Sequence, residues 1–321
     1  MASKVTVIGT GNFGSTVAFI LAMRGSCHEV VLRGRNVDVA KGKALDMSQA
    51  ANAAREHTIV RAAEGPEDMA GSQIVVITAG APRTPGMSRD DLLTKNAEIV
   101  KMYALEIKEH APEAIVVVVS NPLDVMTYVV HKFTGFSRER IIGMAGILDA
   151  ARMAHFIYEK LGYGAGQIRA TVMGGHGDTM VPLPKFTTVA GVPIDDLLDS
   201  EEIGEIVQKT RDGGAQIVNL LGDGSAYYAP AKSTAVIVDA ILKDTNQIHS
   251  CAVMLKGEYG YSDIVSGVPV MIGANGASQI IEMTLKQLQK TRFKNSVASV
   301  QDMIDVLESN NFFDDLENEI K

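Results

Sequence analysis

Five short stretches of almost unbroken aliphatic residues mark the first half of the chain: KVTVIG (4–9), EVVLRG (29–34), QIVVITAG (73–80), AIVVVVSNP (114–122) and RIIGMAG (140–146). A strand with one wet face alternates apolar and polar residues, so stretches this continuous predict parallel strands covered on both sides. Between them, STVAFILAMRG (15–25) and DDLLTKNAEIVKMYALEIKEH (90–110) space their apolar residues at helical intervals. The alternation predicts an α/β fold with a doubly wound parallel sheet. Beyond about residue 150 the rhythm changes. Helices are expected at DAARMAHFIYEKLG (149–162) and SEEIGEIVQKTRDGGAQIVNLL (200–221), then an antiparallel, turn-rich stretch from 249 to 277 and a helical tail. No Pro- or Ser-rich linker intervenes, so two lobes sharing an interface are expected, 1–147 and a mixed α+β lobe at 148–321.

The turn after the first strand reads Gly9-Thr10-Gly11-Asn12-Phe13-Gly14 and opens the first helix. In that setting the first glycine permits a tight turn, the second lets backbone approach a pyrophosphate, and the third lets helix and strand pack closely. The helix N-terminus then offers free N–H groups to the phosphates. This context predicts a Rossmann-type dinucleotide site, whereas an isolated glycine motif would carry little weight. Such sites normally place an acid about 20 residues further on, against the adenosine ribose. Here that position is Gly34, between Arg33 and Arg35. Loss of the carboxylate removes repulsion of a 2′-phosphate, and a guanidinium grips phosphate with two bonds. The stretch is therefore read as favouring NADP(H), with NAD(H) possible, and Arg35, past the strand end, as the better phosphate ligand. The competing reading is two solvated arginines and a cofactor held elsewhere.

Composition narrows the partners. A net charge of −8 over 321 residues argues against nucleic acid or an anionic membrane, and no apolar run approaches the ~20 residues of a membrane span. Cys27 and Cys251 stand far apart, as reduced thiols of a cytoplasmic protein would. With the first strand expected to start at Lys4, no removable apolar segment is expected ahead of it.

Three further pieces carry candidate chemistry. AGAPRTPGMSRDDLLTKN (79–96) leaves a strand end and carries Arg83 and Arg89 before a helix begins near Asp90, as a lid bringing positive charge to a substrate would. GILDAARM places Asp149 and Arg152 three residues apart on one helix face, although Asp149 alone reads most simply as an N-cap. MGGHGDTMVP sets His176 between glycines after the strand IRATVM. No second histidine sits at metal-ligand spacing, so no metal site is expected.

Taken together, GTGNFG, AGAPRTPGMSRDDLL, VSNPLDVMTYV, GMAGILDAAR, GGHGDTMVP and GSAYYAPA resemble, in order and spacing, the malate dehydrogenases of the lactate-dehydrogenase-like branch, over nearly the whole length. The resemblance implies that His176 takes and returns the substrate proton, that Asp149 orients it, and that Arg152 binds the carboxylate beside the reacting carbon. It implies that Arg89 polarises the C2 oxygen, that Arg83 distinguishes malate from lactate enzymes, and that Asn121 contacts substrate and nicotinamide. Asn96 and Val119 join the expected cofactor contacts. It further implies (S)-malate and oxaloacetate as substrates, a place in the tricarboxylic acid cycle, and a homodimer or homotetramer. Gly34, where the family usually has Asp, is the one departure.

The residue types suit the chemistry. Oxidising a 2-hydroxy acid sends a hydride to the nicotinamide and needs a base titrating near neutrality. Arginine clamps a carboxylate through two coplanar bonds as lysine does not. Pyruvate would leave Arg83 unpaired, whereas oxaloacetate would satisfy it. Ala226 in GSAYYAPA either leaves room for that second carboxylate or simply packs a helix. The alternatives are a lactate or other 2-hydroxy-acid dehydrogenase, a non-catalytic NADPH-binding protein, and a metal-dependent glycosidase. The first is disfavoured by Arg83, the second by the intact set of four polar residues, the third by the lack of a Cys and His pair for its metal.

Overall fold

The computed structural model describes residues 2–81, 88–222 and 224–314. The chain begins β1 (Lys4–Ile8), α1 (Asn12–Met23), β2 (Glu29–Arg33), α2 (Val37–Ala53), β3 (Ile59–Ala62), β4 (Ile74–Ile77), α3 (Arg89–His110), β5 (Ile115–Val118), α4 (Leu123–Thr134) and β6 (Ile141–Gly143). Next come α5 (Gly146–Leu161) and five two-residue strands: β7 (Ile168–Arg169), β8 (Val172–Met173), β9 (Val181–Pro182), β10 (Thr188–Val189) and β11 (Val192–Pro193). The remainder is α6 (Ser200–Leu221), α7 (Tyr228–Leu242), β12 (Gln247–Lys256), β13 (Ser262–Gly273), β14 (Gly276–Ile280) and α8 (Gln287–Ser309).

The aliphatic runs become the predicted parallel strands. Every residue of β4 and β5 is buried, and each such Val or Ile contributes about 1.5–3 kcal/mol relative to exposure. The sheet runs β3-β2-β1-β4-β5-β6, all parallel, with Val5 level with Val30 on one side and Ile74 on the other. Strand order reverses between β1 and β4, so a crevice opens at their carboxyl ends.

One expectation needs revision, and the sheet also continues past β6. β12 pairs antiparallel with it, Ala252 opposite Gly143, and β13 and β14 follow, so the predicted antiparallel stretch extends the first sheet. The stretch IRATVM is split into β7 and β8, which belong to different small sheets. Both cysteines are buried, and burial pushes the Cys27 thiol up to about 12, which leaves it inert at neutral pH. Among the described residues no helix is long and apolar enough to cross a membrane.

Candidate active site

The turn between β1 and α1 shows why its glycines differ in task. Gly9 has φ +108°, and a Cβ there would strike the Thr78 hydroxyl; a Cβ at Gly14 would strike the Gly9 carbonyl. Both keep β1, α1 and β4 in close contact. A Cβ at Gly11 would meet nothing within 4 Å. That glycine borders open space, as an approaching pyrophosphate needs. Gly11 also stands at the α1 N-cap with no side-chain cap and no acid in the first turn, so the helix end is left for an anion. The cradle therefore fits a dinucleotide.

At the exit of β2 the two arginines part. Arg33 turns towards α3, where its guanidinium donates to both Glu106 carboxylate oxygens at 3.2 and 3.4 Å, its side chain 16 % exposed. It is neutralised by that pair, and the structure does not offer it as the phosphate ligand read from the sequence. Arg35 is exposed, and the Asn36 side chain caps α2 by accepting from the Val39 N–H at 3.1 Å. Gly34 is buried against Thr10. A Cβ at position 34 would lie 2.6 Å from Thr10 Oγ1 and 2.7 Å from Thr10 Cγ2, so a carboxylate at 34 requires Thr10 to move. Sequence reasoning missed Lys43, whose ammonium donates to the Thr10 carbonyl at 2.7 Å and the Ser15 hydroxyl at 2.9 Å and braces the turn from α2. Its only sequence signal is a lysine on the helix after the strand.

The second half of the site forms around His176, on the turn between β8 and β9. Gly174 exchanges two backbone bonds with Gly267 of β13, at 2.8 and 3.2 Å, and the Gly175 N–H donates to Ser296 Oγ of α8 at 2.8 Å. The His176 N–H donates to Asp124 Oδ2 at 2.8 Å, and its ring Nδ1 lies 2.9 Å from Asp149 Oδ2. With Asp149 ionised, Nδ1 carries the proton, which leaves the Nε2 lone pair for the cleft. Burial alone would lower the His176 pKa. The charge and hydrogen bond of Asp149, helped by Asp124 and opposed by Arg152, outweigh burial and hold it above the ordinary 6.5.

Asp149 is not the N-cap of α5. The helix begins three residues earlier because Gly146 has no side chain: a Cβ there would press on the Val172 carbonyl and Ser250. Asp149 is consequently carried into the helix, its side chain 2 % exposed, and accepts from Arg152 Nη1 through its other oxygen at 3.3 Å. Arg152 lies against Gly214 of α6, where a Cβ would stand 3.5 Å from both terminal nitrogens.

His176, Arg152, Asn121, Val119, Phe13 and Ala226 line one cavity of about 250 Å³ where α1 and the turns after β5 and β6 meet α5, α6 and the histidine turn. Asn96 is drawn elsewhere: it accepts from the Ala81 N–H at 2.7 Å and donates to the Asn121 carbonyl at 2.8 Å. It ties together the turns after β4 and β5, which makes it a brace of the site. Arg89 is exposed at the first position of α3 and does not line the cavity, and Arg83 lies outside the described residues. Arg211 of α6, not anticipated, lines the cavity beside Arg152. Among the described residues no cluster of His, Cys, Asp or Glu is placed to hold a metal.

Comparison with known proteins bears on both halves. Residues 3–143 match the family model described as the lactate/malate dehydrogenase NAD binding domain, and residues 147–310 match its alpha/beta C-terminal domain. A malate dehydrogenase of Sulfurimonas denitrificans is 63 % identical over 311 residues, 97 % of this chain and 98 % of that protein. The structure of the malate dehydrogenase of Picrophilus torridus in its apo form superposes with a TM-score of 0.93 at 39 % identity, covering all of both chains. The lactate dehydrogenase of Cryptosporidium parvum complexed with lactic acid and β-nicotinamide adenine dinucleotide superposes with a TM-score of 0.92 at 34 % identity, over 96 % of this chain and 98 % of that one.

Proposed function

This chain belongs to the lactate/malate dehydrogenase family and is an NAD(P)-dependent oxidoreductase, and from that premise we propose that it interconverts (S)-malate and oxaloacetate with NADP(H) preferred over NAD(H). The observation that carries the chemistry is the 2.9 Å contact of His176 Nδ1 with buried Asp149, whose other oxygen accepts from Arg152.

A nicotinamide dinucleotide held by the turn Gly9–Gly14 would supply the acceptor for the hydride that leaves C2 of malate. His176 Nε2 accepts the proton of the C2 hydroxyl, while Asp149 keeps the ring in one tautomer and offsets the charge it gains. In the reducing direction His176 returns that proton to the oxygen. Arg152 clamps the carboxylate next to C2 with two coplanar bonds, and Asn121 orients the C2 substituents from the end of β5. Arg89 is proposed to stabilise negative charge on the C2 oxygen, which requires its side chain to swing towards the cleft from the exposed position it holds. Arg83 is proposed to pair with the C4 carboxylate.

Three features support NADP(H). Position 34 has no carboxylate to repel a 2′-phosphate, Thr10 fills the space where one would start, and Arg35 stands exposed at the strand exit. Oxaloacetate reduction is expected to show at least a tenfold higher kcat/KM with NADPH than with NADH, about 1.4 kcal/mol. Gly34→Asp alone should lose NADPH without gaining NADH, because Thr10 stands in the way; Thr10→Ala with Gly34→Asp should turn the preference round. A wild-type enzyme that works better with NADH overturns the cofactor reading and leaves the reaction itself untouched.

A further inference from the structure

Asp124, in the first turn of α4, plays no part in the proton transfer described above, yet it stands directly behind it. The residue is 3 % exposed, its Oδ2 accepts the His176 N–H at 2.8 Å, and its buried Oδ1 has no hydrogen-bond partner on any other described residue. Room for it is made on the histidine turn, where a Cβ at Gly175 would sit 3.3 Å from Oδ2. A neutral Asn could accept the same N–H, whereas burying a carboxylate is costly. The charge is what such a position adds.

Resting on the reading of His176 as the proton carrier, we propose that Asp124 is a positioning residue for the reaction: it holds His176 through the main-chain N–H and lends a second buried negative charge to the imidazolium. Among the described residues, Asp149 and Arg152 face the ring from α5 and Asp124 from α4; Asp178 of the same turn and Arg211 and Asp212 of α6 line the same cavity, and α8 brings the neutral Ser296 hydroxyl to the turn. Burial lifts the Asp124 carboxyl to about 6, with the His176 N–H, the His176 charge and its own N–H pulling down and Asp149 pushing up. The Asp124 carboxylate and the His176 imidazolium each favour the charged form of the other.

The sign of the effect follows. A carboxylate beside the ring favours imidazolium, so removing it lowers the pH at which His176 gives up its proton. In Asp124→Asn, which can accept the same N–H, and in Asp124→Ser, whose shorter side chain gives that bond up, the pH at which half of the oxaloacetate-reducing kcat/KM is lost should move down by about half to one unit. On the alkaline side reduction then falls about three- to tenfold. Malate oxidation gains on the acid side, with KM for the cofactor unchanged. His176→Asn is measured beside them. If His176→Asn loses turnover while the profiles of both Asp124 variants superimpose on that of the wild type, Asp124 is only an anchor and the inference is overturned. If His176→Asn keeps turnover, the reading of His176 falls and Asp124 loses its role with it.

Discussion

Replacing His176 by asparagine is expected to lower turnover in both directions about a thousandfold while leaving cofactor binding intact, since a positioned general acid–base group contributes roughly 10²–10⁴ in rate. The expectation comes from how the ring is held. Backbone bonds from Gly174 to β13, the Ser296 hydroxyl on Gly175, the Asp124 carboxylate on the His176 N–H and Asp149 on Nδ1 constrain the residue from four sides. Asparagine can keep the main-chain bonds, so the loss should appear in kcat, with the folded structure and nucleotide affinity preserved. The pH dependence has a definite sign. On the proposed mechanism reduction needs the imidazolium and should fade as pH rises past the raised His176 pKa, above 6.5, whereas oxidation needs the neutral ring and should grow over the same range. Turnover within threefold of wild type for His176→Asn, with pH profiles unchanged, removes the histidine from the mechanism.

The second large effect is expected at Arg152. Arg152→Lys keeps the charge but loses the planar fork, so a carboxylate that took two coplanar bonds keeps one, and the Asp149 bond is disturbed as well. A hydrogen bond to a charged group is worth about 1.5–3 kcal/mol, so kcat/KM for oxaloacetate should fall about ten- to 150-fold, mostly through KM. Stopped-flow titration with the reduced cofactor should show its affinity unchanged. An unaltered KM for oxaloacetate would mean that the substrate carboxylate is held elsewhere, and Arg211, lining the same cavity, would be the residue to test next.

Much of this arrangement was legible in the sequence because buried parallel strands carry their signal locally. Five of the six parallel strands of the sheet stand out as aliphatic runs, and the glycine turn is recognisable from the strand before it and the helix after it. β3 was not legible: IVRA is four residues long, with Ile59 exposed and Arg61 bonded to Glu29 and Asp68, so it lacks the continuous apolar character of its neighbours. The extension of the sheet past β6 rests on Ala252 opposite Gly143, a pairing across more than a hundred residues that no local pattern encodes. The same limit governs side chains. Alternation sends Arg33 and Arg35 the same way, yet Glu106, 73 residues away, captures Arg33. Asp124 resembles any acid in the first turn of a helix until the fold brings His176 to it from 52 residues away.

The most direct test compares kcat/KM for oxaloacetate and for pyruvate at saturating NADPH or NADH, in the wild type and in Arg83→Gln. Oxaloacetate should be preferred by about two orders of magnitude or more in the wild type, because pyruvate leaves a cation of the site unpaired, and the ratio should shrink in Arg83→Gln. A wild-type enzyme that reduces pyruvate as well as oxaloacetate would contradict the dicarboxylate reading and place the chain among dehydrogenases of simpler 2-hydroxy acids.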